Sequence, residues 1–162
     1  MSLKSSPYIT KAGMTRLNDE LTAIWIRRRD VVKALSAAAA EGDRSENAEY
    51  IYRKKELRGL DRRIRYLQKR MPDLRVIADK PDDDFKVFFA AWVTLETEEG
   101  EQVCYRIAGP DEIDHAPEYI SLDSPLAKAL LGKQVDDEAI IHLQGVNKTY
   151  FILSINYNEK PG

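Results

Sequence analysis

The 162-residue sequence predicts an α+β protein, with a long antiparallel coiled-coil hairpin in residues 1–72 and a small antiparallel sheet with one helix in residues 73–162. Apolar residues recur at alternating spacings of three and four on both sides of a polar segment, which is typical of a coiled-coil face. In addition, residues 1–80 hold 19 Lys/Arg and 11 Asp/Glu, whereas residues 81–162 hold 6 and 16. This asymmetry indicates a basic module and an acidic module with different partners.

The first helix is predicted from Thr10, as its N-cap, to Ala40. The second helix ends near Met71, because Pro72 cannot continue it. If the chain folds back between the helices, their apolar seams meet in a single register along the whole length. The seam positions are Met14, Leu17, Leu21, Ile24, Arg28, Val31, Leu35 and Ala38, then Tyr50, Arg53, Leu57, Leu60, Ile64, Leu67 and Met71.

The second module alternates strand-forming segments with turn residues. Its one helix opens at Ser124 and Pro125, because Ser is a good N-cap and Pro suits the first helical position, and it ends at Gly132. A turn containing Gly145 and Asn147 joins the last two strands. Strands are predicted at residues 74–78, 85–97, 102–108, 119–122, 138–143 and 148–157.

Two carboxylates, Asp43 and Glu46, lie in the polar segment between the helices. Their spacing is that of a capping box, which explains them by local structure alone. The alternative is that the two acids share a divalent cation at the tip of the hairpin. Magnesium takes about six oxygen ligands, so water and a partner molecule would have to supply the rest. Both interpretations remain open at this point, and one oxygen of each carboxylate can serve each role.

Five cations recur on helix 2 at spacings of three and four, which places them on one face opposite the seam. Exposed helix faces normally mix charges of both signs, so an all-basic line favours phosphate binding over simple solvation. Tyr52 and Tyr66 are able to stack on bases, but packing in a buried or half-buried site is the favoured interpretation. The basic stripe consists of Lys55, Arg58, Arg62, Arg65 and Lys69.

Other classes of site are not apparent in the sequence. The single Cys104 excludes an internal disulfide, and two His with one Cys do not make a usual zinc site. There is no serine hydrolase triad, phosphate loop or nucleotide-binding fingerprint. No apolar run is long enough to span a membrane. We therefore expect a soluble, cytoplasmic protein that does not associate with membranes. We also expect it to be a monomer.

With the hairpin, the acidic tip and the basic stripe assembled, the sequence resembles the GreA/GreB family of bacterial transcript cleavage factors, and within it the GreB branch. The likeness extends from about Tyr8 to Tyr157. The segments that carry it are Gly42–Tyr50 at the tip, Asp61–Leu67 on helix 2, Val87–Val93, and Tyr119–Pro125.

The resemblance implies that the hairpin enters the secondary channel of a backtracked RNA polymerase. There Asp43 and Glu46 would help to hold the second magnesium ion jointly with the polymerase active site and to position water, with Ser45 as a lesser contact. The polymerase itself would cleave the extruded RNA, so the protein would be an accessory factor and not an enzyme. The basic stripe would hold the 3′ segment of the backtracked RNA.

The resemblance also implies that the second module is FKBP-like and docks on the rim of the polymerase channel through Asp123, Ser124 and Pro125. Two positions depart from the family pattern, since Ala90 and Asp136 stand where the family usually has Gly. These departures are expected to affect docking more than chemistry, because neither lies at the tip.

Two other functions remain possible from the sequence. One is a related coiled-coil factor that binds polymerase or RNA without stimulating cleavage. The other is a prolyl isomerase, which is suggested by the FKBP likeness alone and is the weaker alternative, because a fold does not determine a function.

Overall fold

The computed structural model describes residues 5–41, 47–158 and 160–161. Asp43, Ser45 and Glu46 therefore lie outside the described residues. The elements in chain order are β1 (Tyr8–Thr10), α1 (Lys11–Ala39), α2 (Ala48–Arg70), β2 (Arg75–Ile77), β3 (Trp92–Thr97), β4 (Gln102–Ala108), β5 (Tyr119–Ser121), α3 (Pro125–Leu130), β6 (Glu138–Leu143) and β7 (Val146–Asn156), with short 3₁₀ turns at Met71–Asp73 and Ile113–His115. No helix among the described residues has the apolar length that crossing a membrane requires.

The chain divides into two compact units. The helical unit is Met14–Leu74, and the sheet unit contains the chain up to Gly13 together with the chain from Arg75 onward. The predicted domain boundary between residues 72 and 73 lies close to the division between Leu74 and Arg75. The N-terminal residues, however, group with the sheet unit, because β1 pairs in parallel with β2 at Ile9 and Val76.

α1 has the bounds that the sequence predicts, within about one residue, and α2 ends one residue before the predicted Met71. Thr10 is the N-cap of α1, since its hydroxyl oxygen accepts a hydrogen bond from the Gly13 N–H at 3.0 Å. In the helical unit, every residue of the predicted seam is buried or half-buried. The fully buried seam residues are Leu17, Val31, Ala38, Ile64 and Leu67.

The sheet unit is built on five strands in the order β5-β4-β3-β7-β6. Alternate residues of the central strands form its core, and α3 packs against β6. The prediction of a wholly antiparallel sheet is wrong, because β5 pairs in parallel with β4, with Arg106 opposite Tyr119. The connection after β4 contains a 3₁₀ turn and carries the chain back along the sheet before β5 begins. The main core side chains are Val93, Leu95, Ile107, Leu130 and Ile152.

The predicted strand at residues 85–97 is also too long, because β3 begins only at Trp92. The Ala91 N–H bonds the Phe88 carbonyl at 3.2 Å, and Ala90 has a φ of 76°. A tight turn with left-handed backbone at its third residue therefore precedes the strand. Asp136 has a φ of 75° in a second turn of this kind. Ala90 and Asp136 thus both have the left-handed backbone conformation that Gly adopts most easily.

A buried carboxylate that the sequence did not reveal joins β1 to the rest of the sheet unit. Glu112 is 4% exposed and accepts hydrogen bonds from the Thr10 N–H at 2.9 Å, the Thr10 hydroxyl at 2.6 Å and the Gly109 N–H at 2.9 Å. A Cβ atom at Gly109 would lie 2.0 Å from the Tyr8 carbonyl oxygen, and one at Gly13 would lie 2.3 Å from a Glu112 oxygen. These close approaches require Gly at both positions.

Candidate functional site

The start of α2 is capped by a residue next to the acidic segment. The Asn47 side-chain oxygen accepts a hydrogen bond from the Tyr50 N–H at 3.1 Å, and its Nδ2 donates to the Ala38 carbonyl at 2.8 Å. One side chain therefore satisfies a backbone group at the C-terminal end of α1 and another at the N-terminal end of α2. Asn47 is thus the N-cap of α2, whereas Asp43 and Glu46, for which the sequence also offered a capping box, lie outside the described residues.

Charged side chains of α1 and α2 bind each other along the helical unit. Glu20 accepts two hydrogen bonds from Arg63, at 2.7 and 2.9 Å, and Arg28 donates to Asp61 at 2.7 Å. Nearer the tip, Glu56 binds both Arg27 at 2.7 Å and Arg53 at 3.0 Å. These hydrogen bonds lower the pKa of the Glu56 carboxyl, and the larger contribution comes from Arg27.

The five cations of the basic stripe are all exposed, as the sequence predicts. No ion pair among the described residues involves Lys55, Arg58, Arg62, Arg65 or Lys69. The arginines that point toward the other helix, by contrast, are neutralised by acids. Among the described residues, the helical unit thus has arginines paired with acids at the helix interface and an unpaired basic stripe on the outer face of α2.

The prediction that Tyr52 and Tyr66 pack in buried or half-buried sites is wrong, because both residues are exposed. Their side chains are 59% and 44% exposed. Each ring has a guanidinium group over it, Arg53 at 5.4 Å from the Tyr52 centroid and Arg63 at 5.3 Å from the Tyr66 centroid. On α1, Trp25 is 44% exposed and lies 5.8 Å from the Arg28 guanidinium.

The segment Asp123–Pro125 lies at the start of α3 in the sheet unit. Asp123 accepts hydrogen bonds from both the backbone N–H and the hydroxyl of Ser6. The Ser124 hydroxyl caps α3 by accepting from the Ala127 N–H at 3.2 Å, and Pro125 is exposed at the first helical position. Two of the three predicted docking residues therefore have structural partners, and the third presents its ring to solvent.

The described residues contain no group of three or more His, Cys, Asp or Glu side chains that could hold a metal ion. The predicted site residues thus fall into three groups. Asp43, Ser45 and Glu46 lie outside the described residues, the basic stripe forms one exposed face of the helical unit, and the predicted docking segment belongs to the sheet unit. Asn47 is the residue at the tip that sequence reasoning missed. An Asn three residues before Tyr50, at the start of an apolar periodicity, was the available signal.

Two family models match the chain and together cover most of it. The model described as "Transcription elongation factor, N-terminal" matches residues 7–76. The model described as "Transcription elongation factor, GreA/GreB, C-term" matches residues 82–157.

Individual relatives agree with the family models. The chain is 51% identical over 157 residues to transcription elongation factor GreB of Pseudomonas aeruginosa, with 96% of this chain and 94% of the relative covered. It is 54% identical over 156 residues to GreB of Xanthomonas axonopodis, with 95% and 93% covered. Among solved structures, a GreA/GreB factor from Nitrosomonas europaea is similar at 21% identity and a TM-score of 0.42, with 94% of this chain and all of that chain covered.

Proposed function

The chain belongs to the GreA/GreB family of transcription elongation factors, and we propose that it stimulates cleavage of the extruded RNA in backtracked RNA polymerase by inserting its helical tip into the secondary channel. It is a transcription elongation factor, an accessory protein that acts on RNA polymerase and not an enzyme on its own. The observation that carries the proposal is identity of about half the residues to GreB relatives along almost the entire chain.

Insertion requires a slender projection, and we infer that α1 and α2 form an antiparallel coiled-coil hairpin. The contacts between the helices support this arrangement. Residues later in α1 contact residues earlier in α2. Glu20 binds Arg63, Arg27 binds Glu56, and Ala38 binds Asn47. Antiparallel neighbours joined by a short connection produce this order of contacts.

At the tip, Asp43 and Glu46 would hold a magnesium ion together with the acids of the polymerase, with Ser45 as a lesser contact. The cap at Asn47 supports this role, because α2 does not need Asp43 or Glu46 as its N-cap. Two carboxylates provide too few ligands for magnesium by themselves, so the ion would be shared and not resident. When bound, such an ion stabilises charge on the attacking or leaving oxygen of a phosphodiester. The contribution of this chain is to bring two anions to that position.

We also propose that the basic stripe binds phosphates of the backtracked RNA 3′ segment. Its support is the contrast between the exposed, unpaired cations of the stripe and the paired arginines at the helix interface. An unpaired cation in water binds a phosphate without first breaking an internal ion pair. Each phosphate contact releases a condensed counterion, so the binding would depend strongly on salt.

The sheet unit, which we propose to be FKBP-like, would dock on the rim of the polymerase channel through Asp123, Ser124 and Pro125. The hydrogen bonds of Asp123 to Ser6 and of Ser124 to α3 support a rigid segment, from which exposed Pro125 is free to make contact. A rigid docking segment loses little conformational entropy on binding.

The test is to add the full-length protein to polymerase stalled on a template with backtracked RNA that is labelled at its 5′ end. Shortening of the RNA followed by renewed elongation is expected. If the polymerase is bound but the RNA stays intact, the chain would be a related factor that binds polymerase or RNA without stimulating cleavage. A peptide isomerisation assay on the same preparation checks the weaker alternative of a prolyl isomerase, for which no activity is expected.

A further inference from the structure

The two exposed tyrosines of α2 are held in place by a repeated arrangement of charges. Arg53 lies over the Tyr52 ring and binds Glu49 at 2.8 Å and Glu56 at 3.0 Å. The same order of groups, from carboxylate to guanidinium to ring, occurs farther along the helix. There Glu20 binds Arg63, which lies over the Tyr66 ring.

This arrangement restricts each ring before any partner arrives. A guanidinium that is anchored by carboxylates has few alternative rotamers, and a cation over a ring face favours one ring orientation. The exposed part of each ring therefore offers a flat apolar surface at a defined position. A surface that is ordered in advance binds a partner with a smaller loss of entropy than a mobile side chain does.

Both rings also lie next to the basic stripe. Tyr52 precedes Lys55 by three residues, and Tyr66 follows Arg62 by four and precedes Lys69 by three. Side chains at these spacings are neighbours on a helix surface, about 5–6 Å apart at Cβ. The two rings are fourteen residues apart, or about 21 Å along the axis. Two flat rings beside a line of unpaired cations match a single-stranded nucleic acid, whose bases stack on aromatic rings while its phosphates contact cations.

We propose that Tyr52 and Tyr66 are stacking platforms for bases of single-stranded RNA whose phosphates lie along the basic stripe. This inference rests on the proposed function of the stripe and adds the chemical class that the stripe selects. A stripe of cations alone does not distinguish single-stranded RNA from any other polyanion. With the two rings, the same surface prefers a strand whose bases are unpaired and accessible.

The test compares two ligands with the full-length protein at a fixed low salt concentration. One is a short unstructured oligoribonucleotide with a fluorescent label, and the other is an oligomer of the same length and charge without bases. The parent protein is expected to bind the oligoribonucleotide more tightly. Tyr52→Leu and Tyr66→Leu should each weaken that binding by at least about fivefold while changing the affinity for the abasic oligomer by less than about twofold. Tyr52→Phe and Tyr66→Phe keep the rings and should behave like the parent.

Trp25→Leu is the matched control, because it removes another exposed ring with a guanidinium over it, but on α1. It should leave both affinities unchanged, and an equal loss at Trp25 would overturn the proposal. The proposal would also be overturned if the tyrosine variants weakened the binding of both oligomers equally. It would likewise be overturned if these variants lost polymerase binding while their RNA binding stayed intact. If stripe variants weaken binding to both oligomers but tyrosine variants do not, phosphate binding stands and base stacking fails. If stripe variants have no effect, the proposed role of the stripe itself fails.

Discussion

The Asn47 side chain binds the Ala38 carbonyl at 2.8 Å, across nine residues of sequence, and so connects the end of one helix to the start of the next. Its other polar atom caps α2 by accepting the Tyr50 N–H. Because both hydrogen bonds come from one amide, the two helix ends on either side of residues 42–46 are tied to a single side chain.

The two hydrogen bonds of Asn47 can be separated by substitution. Asn47→Ser keeps an N-cap oxygen but loses the donor to Ala38, whereas Asn47→Ala loses both. We expect Asn47→Ala to lower the free energy of unfolding by about 1–2 kcal/mol and Asn47→Ser by a smaller amount. Urea unfolding followed by circular dichroism measures the difference. Equal stability of all three proteins would show that the cap contributes nothing.

Charge at the tip can be removed without changing shape. Asp43→Asn and Glu46→Gln are nearly isosteric with the parent residues. We expect both variants to fold and bind polymerase normally while RNA cleavage falls by at least about a hundredfold, in line with the loss of a positioned electrostatic group. Cleavage in stalled complexes measures this, and higher magnesium should restore part of the activity. Near-normal cleavage by Asp43→Asn would remove the metal-holding role from the tip.

The phosphate-binding role of the stripe predicts a change in salt dependence. Replacing Arg58, Arg62 and Arg65 together with Gln should reduce the slope of log affinity for single-stranded RNA against log salt by about two units. The slope is obtained by titrating labelled RNA at several salt concentrations. Lys128→Gln, an exposed cation on α3, is the control and should leave the slope unchanged. An unchanged slope in the triple variant would mean that the stripe is only solvated.

The left-handed residue before β3 provides a stability test. Ala90→Gly should raise the free energy of unfolding by about 1 kcal/mol, because Ala at a φ of 76° is strained and Gly is not. Asp136→Gly should gain less, since Asp tolerates this conformation better than Ala does. Ala91→Gly is the control and should be destabilising, because Ala91 is fully buried. Thermal unfolding of the three variants gives the order.

The lowered pKa of Glu56 predicts how stability depends on pH. A carboxyl whose pKa is lower in the folded state stabilises the protein above its unfolded pKa, and that contribution is lost as the pH falls through the folded value. Glu56→Gln should therefore have a lower free energy of unfolding than the parent near neutral pH. This difference in stability should disappear below about pH 4. Glu49→Gln is the control, because the Glu49 side chain is 55% exposed and pairs with Arg53 on its own helix. A stability difference between the parent and Glu56→Gln that does not change with pH would contradict a stabilising role for the Glu56 charge.

Features set by neighbouring residues were predictable from the sequence. The bounds of α1, the end of α2, the seam, the Thr10 cap and the Ser124 cap all follow from periodicity and local hydrogen bonding. The exposed stripe follows from the same periodicity, since its positions lie opposite the seam. The turn at Gly145 was also predicted, and there Gln144 and Gly145 both have positive φ in a two-residue hairpin loop.

Features set by distant residues were not predictable in this way. Glu112 binds Thr10 across 102 positions of sequence, and nothing in its own neighbourhood indicates that it is buried. The parallel direction of β5 depends on where the preceding connection leads the chain, and not on the composition of the strand. Tyr52 and Tyr66 were misassigned because aromatic side chains are usually packed, whereas here the smaller seam residues already fill the interface between the helices.

The pairing of β1 with β2 sets an order of events during synthesis. The segment that contains Ile9 is translated early, yet its partner Val76 and its anchor Glu112 emerge from the ribosome much later. Helices α1 and α2 are complete in the nascent chain before either contact exists. β1 therefore remains without its partner strand while the helical unit forms its own short-range contacts. A truncated product that begins after the helices would lack β1, a strand of its own sheet unit, because β1 precedes both helices in the sequence.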